Sequence, residues 1–282
     1  MNNAQSVRIN SPLVSVVTPS YNQGRFIQAT IESVLGQDYP NIEYIVMDGG
    51  SSDETVSILQ KYGNRLSWVS ENDKGQTDAI NKGLRKASGE IVAYLNSDDI
   101  YLPNTISKVV EIFVNNPDVD FIYGDFHAID ENGHILDKVK TIPFDHDILL
   151  YDANYICQPG SFYRRRLLDE IGLFDDELHF LMDYEFFLRA AKRKAEFFMM
   201  PEYLSAIRYH GDCKTLSDGV YPWVEERKQI KLKYARVKAR SLSSLRILSL
   251  IFRLKRYYLL LLRGRLDCMN IFLAYKLRKI SR

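Results

Sequence analysis

The feature that most constrains this fold is an alternation of short apolar, β-branched runs with helical patterns, repeated four times in the first 114 residues. Residues 14–18 (VSVVT) read as a buried strand, and residues 25–36 as a helix with Phe26, Ile27, Ile31, Val34 and Leu35 on its apolar side. Residues 42–47 (IEYIVM) and a helix ending near Tyr62 make the second unit, and residues 66–69 and 76–87 the third. Residues 91–95 and a helix starting near Pro103 complete the fourth. Repeated strand-then-helix units imply parallel strands, right-handed crossovers and a doubly wound α/β sheet. Ligands of such sheets bind beyond the carboxyl ends of the strands. Tyr21, Asp48, Asp73 and the pair Asp98-Asp99 all follow predicted strand ends, so four polar clusters converge on one edge. From about Asp120 the pattern loosens: strands at Phe121–Ile129 and residues 134–139, a short strand at 161–163, helices at Arg165–Ile171 and residues 183–194, an extended stretch at Phe197–Arg208, and basic helices beyond Tyr221.

Adjacent carboxylates after a buried strand repel each other and lose solvation, and a hard divalent cation offsets both costs. Asp98-Asp99 therefore reads as a metal site or, equally, as the cap of the helix that follows. Asp48, in the run Asp-Gly-Gly-Ser-Ser-Asp, either accepts hydrogen bonds from a base or ribose or organises a turn. Tyr21 reads as a stacking platform for a base or, equally, as a packed surface tyrosine, and Asp73 as a ribose or metal contact or a helix cap. Asp183 opens a helix, so on this segment alone it reads first as an N-cap and second as a base, for the dipole lowers its pKa while burial beside aromatics raises it. A general base needs that balance near working pH. His210 is a lone histidine, more often structural than a ligand on sequence grounds. No GxGxxG or GxxxxGK[ST] run is present, which weighs against dinucleotide cofactors and P-loop chemistry.

Charge divides the chain. Residues 227–282 hold 17 Lys and Arg against one acid, Asp267, a net +16, while the first 226 residues carry 20 against 35, a net −15. The boundary is set at 220: residues 1–220 as the main domain, 221–282 as a basic amphipathic helical tail. Within the tail Arg246, Arg253, Lys255, Arg256 and Arg263 interrupt Leu245, Ile247, Leu248, Leu250, Ile251, Phe252, Tyr257 and residues 259–262. Charges in mid-span argue against a transmembrane helix, and the pattern suits an anionic membrane surface. A helical pair packed on the body or on a partner subunit is the competing expectation, and no nucleic-acid module is recognisable. Cys157, Cys213 and Cys268 lack any CxxC or Cys/His clustering, which suits a reducing compartment and argues against a disulfide scaffold or zinc site. The N-terminus shows no signal-peptide pattern.

In their order, the segments VSVVTPSYNQGRFIQATIESVLGQDYPNIEYIVMDGGSSDET, WVSENDKGQTDAINKGL and GEIVAYLNSDD, followed more loosely by QPGSFYRRRLLDEIGLFDDEL and MDYEFFLRAAKR, resemble glycosyltransferase family 2. The resemblance implies a GT-A (Rossmann-like) mixed α/β sheet flanked by helices, here with a C-terminal helical extension. It implies an inverting, metal-dependent transferase moving a sugar from a nucleotide-diphosphate donor, UDP by preference, to a hydroxyl of a glycan or lipid-linked glycan in polysaccharide biosynthesis. Pro19, Tyr21 and Asp48 would hold the base, Asp73 the base and ribose, Asp98 the ribose, and Asp99 an Mn2+ or Mg2+ ion with help from His210. Asp183 would be the catalytic base, with Glu185 as second choice. The acceptor is expected along residues 152–162, with Gln158, Gly160 and Glu185 as candidate contacts. The chain lacks the multi-span region and QxxRW-type motif of processive members, so a single addition is expected. It would work in the cytoplasm, peripherally on the inner face of the cell membrane, with homo-oligomerisation left open. The alternatives are a sugar nucleotidyltransferase, whose glycine-rich basic loop residues 19–24 do not supply, and a non-catalytic nucleotide-sugar-binding protein.

Overall fold

The computed structural model describes residues 11–213, 223–235 and 242–264. The polar lead, Cys268 and the last basic residues fall outside these, as do the side chains of Leu245 and Arg246.

The four expected units form. They are β1 (Val14–Ser20) with α1 (Ile27–Leu35), β2 (Ile42–Asp48) with α2 (Thr55–Gln60), β3 (Ser67–Ser70) with α3 (Gln76–Lys86), and β4 (Ile91–Tyr94) with α4 (Thr105–Asn115). Their strands are parallel in the order β3-β2-β1-β4. All of β1 is buried, because helices cover both faces of the sheet. Side-chain alternation then splits the core in two: Val14 and Val16 face the layer of α1, α2 and α4, while Val17 faces α3. Ser20 pairs with Asp48 and Asp48 with Ser70, so the first three strands end at one level.

Beyond Asp99 the sheet becomes mixed. A two-residue strand, β5 (Ile100–Tyr101), comes first, then β6 (Phe121–Ile129) and β7 (Ile135–Val139), and α5 (His146–Tyr151) leads to β8 (Ser161–Arg164). The helices α6 (Arg165–Ile171) and α7 (Met182–Lys192) precede β9 (Phe197–Arg208). Strand β8 runs antiparallel to both β4 and β6, and β9 pairs in parallel with β6 and antiparallel with β5. Order along the sheet is β3-β2-β1-β4-β8-β6-β9-β5, with β7 on β6.

In the basic segment, α8 (Trp223–Tyr234) and α9 (Leu242–Leu262) lie against the body. Ile230 and Tyr234 join the core that holds α7, Phe252 stacks on Tyr151 at 5.5 Å, and Leu260 packs with Ile142 and Ile148. Several tail cations are spent on this docking. Arg253 and Arg256 bind the buried Asp152 at 3.1 and 2.6 Å, Lys255 binds Asp145, and Arg263 grips buried Asp125 with both terminal nitrogens at 2.7 and 2.8 Å. Burial brings the Lys231 ammonium down to about 8. Among the described residues no helix is long and apolar enough to cross a membrane.

Candidate active site

A cavity of about 1320 Å³ opens at the strand ends, lined among others by Pro19, Tyr21, Asp73, Asp98, Asp99, Gln158 and Asp183. The segments that supply them lie far apart in sequence, and the parallel register brings them to one edge.

One wall is the loop after β1. Asn22, at φ 51°, is pinned by the Ser51 hydroxyl accepting its N–H at 2.7 Å and by its own side-chain oxygen accepting the Ser52 N–H at 2.9 Å. This leaves the Tyr21 ring 62% exposed beside the cavity, available to lie on a planar ligand. Asp48 is 2% exposed and stands behind this wall. Its carboxylate accepts hydrogen bonds from the Gly50 and Ser51 N–H groups and from the Ser51 and Ser70 hydroxyls. Gly49 and Gly50 reach the cavity in its place. In this arrangement Asp48 organises the turn, with three of its four accepted hydrogen bonds on one oxygen and one on the other. Those glycines admit the opposite loop: a Cβ on Gly49 would stand 2.6 Å from an Asp73 oxygen, and one on Gly50, at φ +81°, 2.6 Å from the Asn72 oxygen. Asp73 itself faces the cavity and accepts the Gly75 N–H at 2.7 Å.

The acidic pair divides in two directions. Asp99 is 3% exposed, accepts the Arg208 N–H at 3.0 Å and the Asn96 amide at 3.1 Å, and has its pKa raised by burial and by Asp98. Asp98 turns toward His210, whose Nε2 lies 3.0 Å from its carboxylate. The imidazole is 1% exposed, packs on Phe26 at 4.6 Å, and its Nδ1 is buried with no protein partner. Cys213 joins them: single ligand atoms of Asp98, His210 and Cys213 lie within 4.8 Å of one another. This Asp/His/Cys grouping is one the scattered cysteines did not announce, although the three-residue step from His210 to Cys213 was a usable signal. The donor set suits a divalent transition metal. Arg208 holds the pair in place, its Nε donating to the Asp98 carbonyl at 2.9 Å.

Opposite stands Asp183, in the first turn of α7. Burial pushes its carboxyl up to about 6, against the Tyr184 N–H, its own N–H and the Asn154 side chain, which favour the charged form. Glu185 is two residues on, which on a helix is most of the way round to the other side. It is 1% exposed, bonded to Arg189, Lys233 and Tyr234, and kept ionised below the usual range by those partners despite its burial. So held, Glu185 does not line the cavity, in contrast to Asp183. Gln158 borders the cavity, its amide donating to the Tyr94 carbonyl at 2.7 Å, whereas Gly160 is packed under Ser205 and does not reach it. The lining also includes Ile142, Tyr155 and, from α9, Arg256, Tyr257 and Leu260.

Comparison with known proteins bears on the family and the fold. The chain is 33% identical over 189 residues to an uncharacterised glycosyltransferase of Rickettsia prowazekii, covering 64% of this chain and 59% of that protein. It is 35% identical over 186 residues to an uncharacterised glycosyltransferase of Mycobacterium tuberculosis, covering 64% and 70%. The chain thus spans about three fifths of the length of the first Rickettsia relatives it matches. Among solved structures it resembles S. aureus TarS residues 1–349 in complex with UDP-GlcNAc, with TM-score 0.62, 22% identity, and 87% of this chain and 72% of that one covered. It also resembles the mannosyltransferase PcManGT of Pyrobaculum calidifontis in complex with GDP-Man and Mn2+, with TM-score 0.56, 17% identity, and 95% and 87% covered. These two likenesses bear on the fold, which is of the GT-A kind. The sequence pattern of Glycosyl transferase family 2 matches residues 15–172, more than half the chain, and the protein belongs to that family.

Proposed function

We propose that the protein is an inverting glycosyltransferase that moves a sugar from a nucleotide-diphosphate donor to an acceptor hydroxyl. The observation that carries this is one cavity bordered by Asp98 and Cys213, which form a metal-binding type of cluster with the buried His210, and by the carboxylate of Asp183, pushed up to about 6 by burial.

The base of the donor lies against Tyr21 and Pro19, with Asp73 and the glycine pair at the ribose. The residues at the diphosphate end would fit Mn2+ better than Mg2+, with Asp98 and the imidazole of His210 as ligands and Asp99 fixing the loop. This exchanges the parts first expected of the two aspartates. When bound, such a cation offsets negative charge on the departing nucleoside diphosphate. Asp183, ionised above pH 6, accepts the proton of the acceptor hydroxyl. The acceptor oxygen bonds to the anomeric carbon as the bond to the diphosphate oxygen breaks on the opposite side, so configuration inverts. UDP is the preferred nucleotide, although the two structural relatives carry UDP-GlcNAc and GDP-Man.

The acceptor side favours a sugar with an apolar attachment, such as a lipid-linked glycan, because Ile142, Tyr155, Tyr257 and Leu260 border it. On the outer side of α9, Ile247, Leu250, Ile251, Leu254, Tyr258 and Leu261 are exposed at helical spacing. We assign that stripe to the surface of a membrane, with the protein peripheral on its cytoplasmic face. The apolar stripe carries this reading, since several of the cations are bound to the body.

The test is a thermal-shift panel of UDP- and GDP-sugars with and without Mn2+, followed by assay of nucleoside diphosphate release. A donor that raises the melting temperature only with Mn2+ and is turned over by wild type but not by Asp183→Asn supports the proposal. Binding with no release by wild type toward any sugar, alkyl glycoside or water acceptor rejects it.

A further inference from the structure

Helix α7, which carries Asp183, begins without a cap of its own: Leu181 occupies the capping position and no side chain of that residue can accept the free N–H groups. The turn that leads into the helix, His179 to Leu181, is instead held from another element. One carboxylate oxygen of Glu226, on α8, accepts the His179 N–H at 2.9 Å, and the other accepts those of Phe180 and Leu181 at 3.0 and 2.9 Å. A carboxylate at this end also meets the positive pole of the helix. The same two helices are joined a turn further on, where Lys233 and Tyr234 of α8 bind Glu185 of α7 at 3.1 and 2.5 Å. The entry to α7 is thus fixed at both ends by α8, which lies outside the matched family region.

We propose that Glu226 is a positioning residue for the catalytic carboxylate, and that α8 is a working part of the active site. The proposal rests on the assignment of Asp183 as base. Residues 179–181 lead directly into Asp183, and small displacements of a catalytic group cost rate steeply, on the order of 10²-fold per ångström. With Glu226 in place the approach to Asp183 has one geometry. Without it, three N–H groups seek water and the first turn of α7 loosens.

The experiment uses the full chain, Mn2+, and whichever of UDP-GlcNAc and GDP-mannose is hydrolysed, water serving as acceptor. Glu226→Gln and Glu226→Asp are compared with Glu225→Gln, a change in an exposed ion pair on the same helix. Turnover and donor KM are measured, together with hydrogen exchange at the amides of residues 179–181. The expected result is an approximately tenfold fall in kcat for Glu226→Gln, donor KM within twofold, faster exchange confined to those amides, partial recovery in Glu226→Asp, and wild-type behaviour of Glu225→Gln. Faster exchange with unchanged kcat overturns the proposal, as does an equal loss in Glu225→Gln. Full activity in Asp183→Asn would instead sink the base assignment itself, a result separable from the first two.

Discussion

At the scale of single residues, the enclosed carboxylate of Asp183 makes two linked predictions. Its folded pKa of about 6 exceeds the ordinary 3.8 because burial disfavours the charge. Turnover should therefore rise as pH climbs through about 6, and Asp183→Asn should lose at least roughly 10²-fold in kcat. The folded state also binds more protons than the unfolded chain between pH 4 and 6, so the stability contribution falls across that window and stays low above it. Asp183→Asn should then be more stable than wild type at pH 8, by up to about 3 kcal/mol, and no different near pH 4; parallel urea titrations would check this. At the acidic pair, Asp98→Ala and His210→Ala should abolish the Mn2+-dependent rise in melting temperature while leaving the metal-free fold close to wild type. A retained Mn2+ shift in both would remove the cluster from the metal role. Tyr21, Asp73, Asp98 and Asp183 were legible in sequence as strand-end or helix-start residues. Asp48 and Glu185 were not separable from them, because one-dimensional proximity does not show which way a side chain turns. Glu185 lies two places from Asp183, yet α7 directs it into a salt-bridged pocket with α8.

At the scale of elements, the first half was readable because strands buried on both faces are continuous apolar runs with turn residues at each end. Strand β5 escaped notice because two residues carry no period, and its pairing partner in β9 lies over a hundred residues away. Helix α5 escaped because its six residues, two polar followed by four apolar and buried, are too few to show a helical period. The loops at the strand ends are where element geometry meets function. Gly50 stands at φ +81° with the Asn72 oxygen 2.6 Å from where a Cβ would be. Gly50→Ala must both strain the backbone and push the 71–75 loop outward, a cost of about 1–3 kcal/mol. The displaced loop carries Asp73, so affinity for the free nucleoside diphosphate should drop as stability does. Calorimetric titration of UDP and GDP beside a denaturation curve would show both, and a stable variant with unaltered affinity would mean that the two loops adapt independently.

At the scale of the molecule, the charge division seen in the sequence resolves in part as internal complementarity. An acidic body of −15 and a basic segment of +16 meet along α8 and α9, where Asp125, Asp145, Asp152 and Glu185 receive Arg263, Lys255, Arg253 with Arg256, and Lys233. Composition alone could not tell a membrane-facing cation from one facing a buried carboxylate forty or more residues away. The Arg263–Asp125 pair is the most enclosed of these, with side chains 15% and 1% exposed. Asp125 sits where the pairing of β6 with β9 shifts register, which turns its carboxylate toward the Thr141 N–H and the guanidinium. Removing one partner of such a pair leaves an uncompensated buried charge, a loss of about 3–5 kcal/mol. Arg263→Ala should therefore unfold at distinctly lower urea concentration, and because α9 lines the cavity on the side proposed for the acceptor, transfer should suffer more than donor hydrolysis. The double variant Arg263→Leu with Asp125→Asn removes both charges and should regain much of the stability. If Arg263→Ala were as stable as wild type, the end of α9 would be held by its apolar contacts with Ile142 and Ile148 alone, and the charge complementarity between body and tail would have no part in closing the cavity.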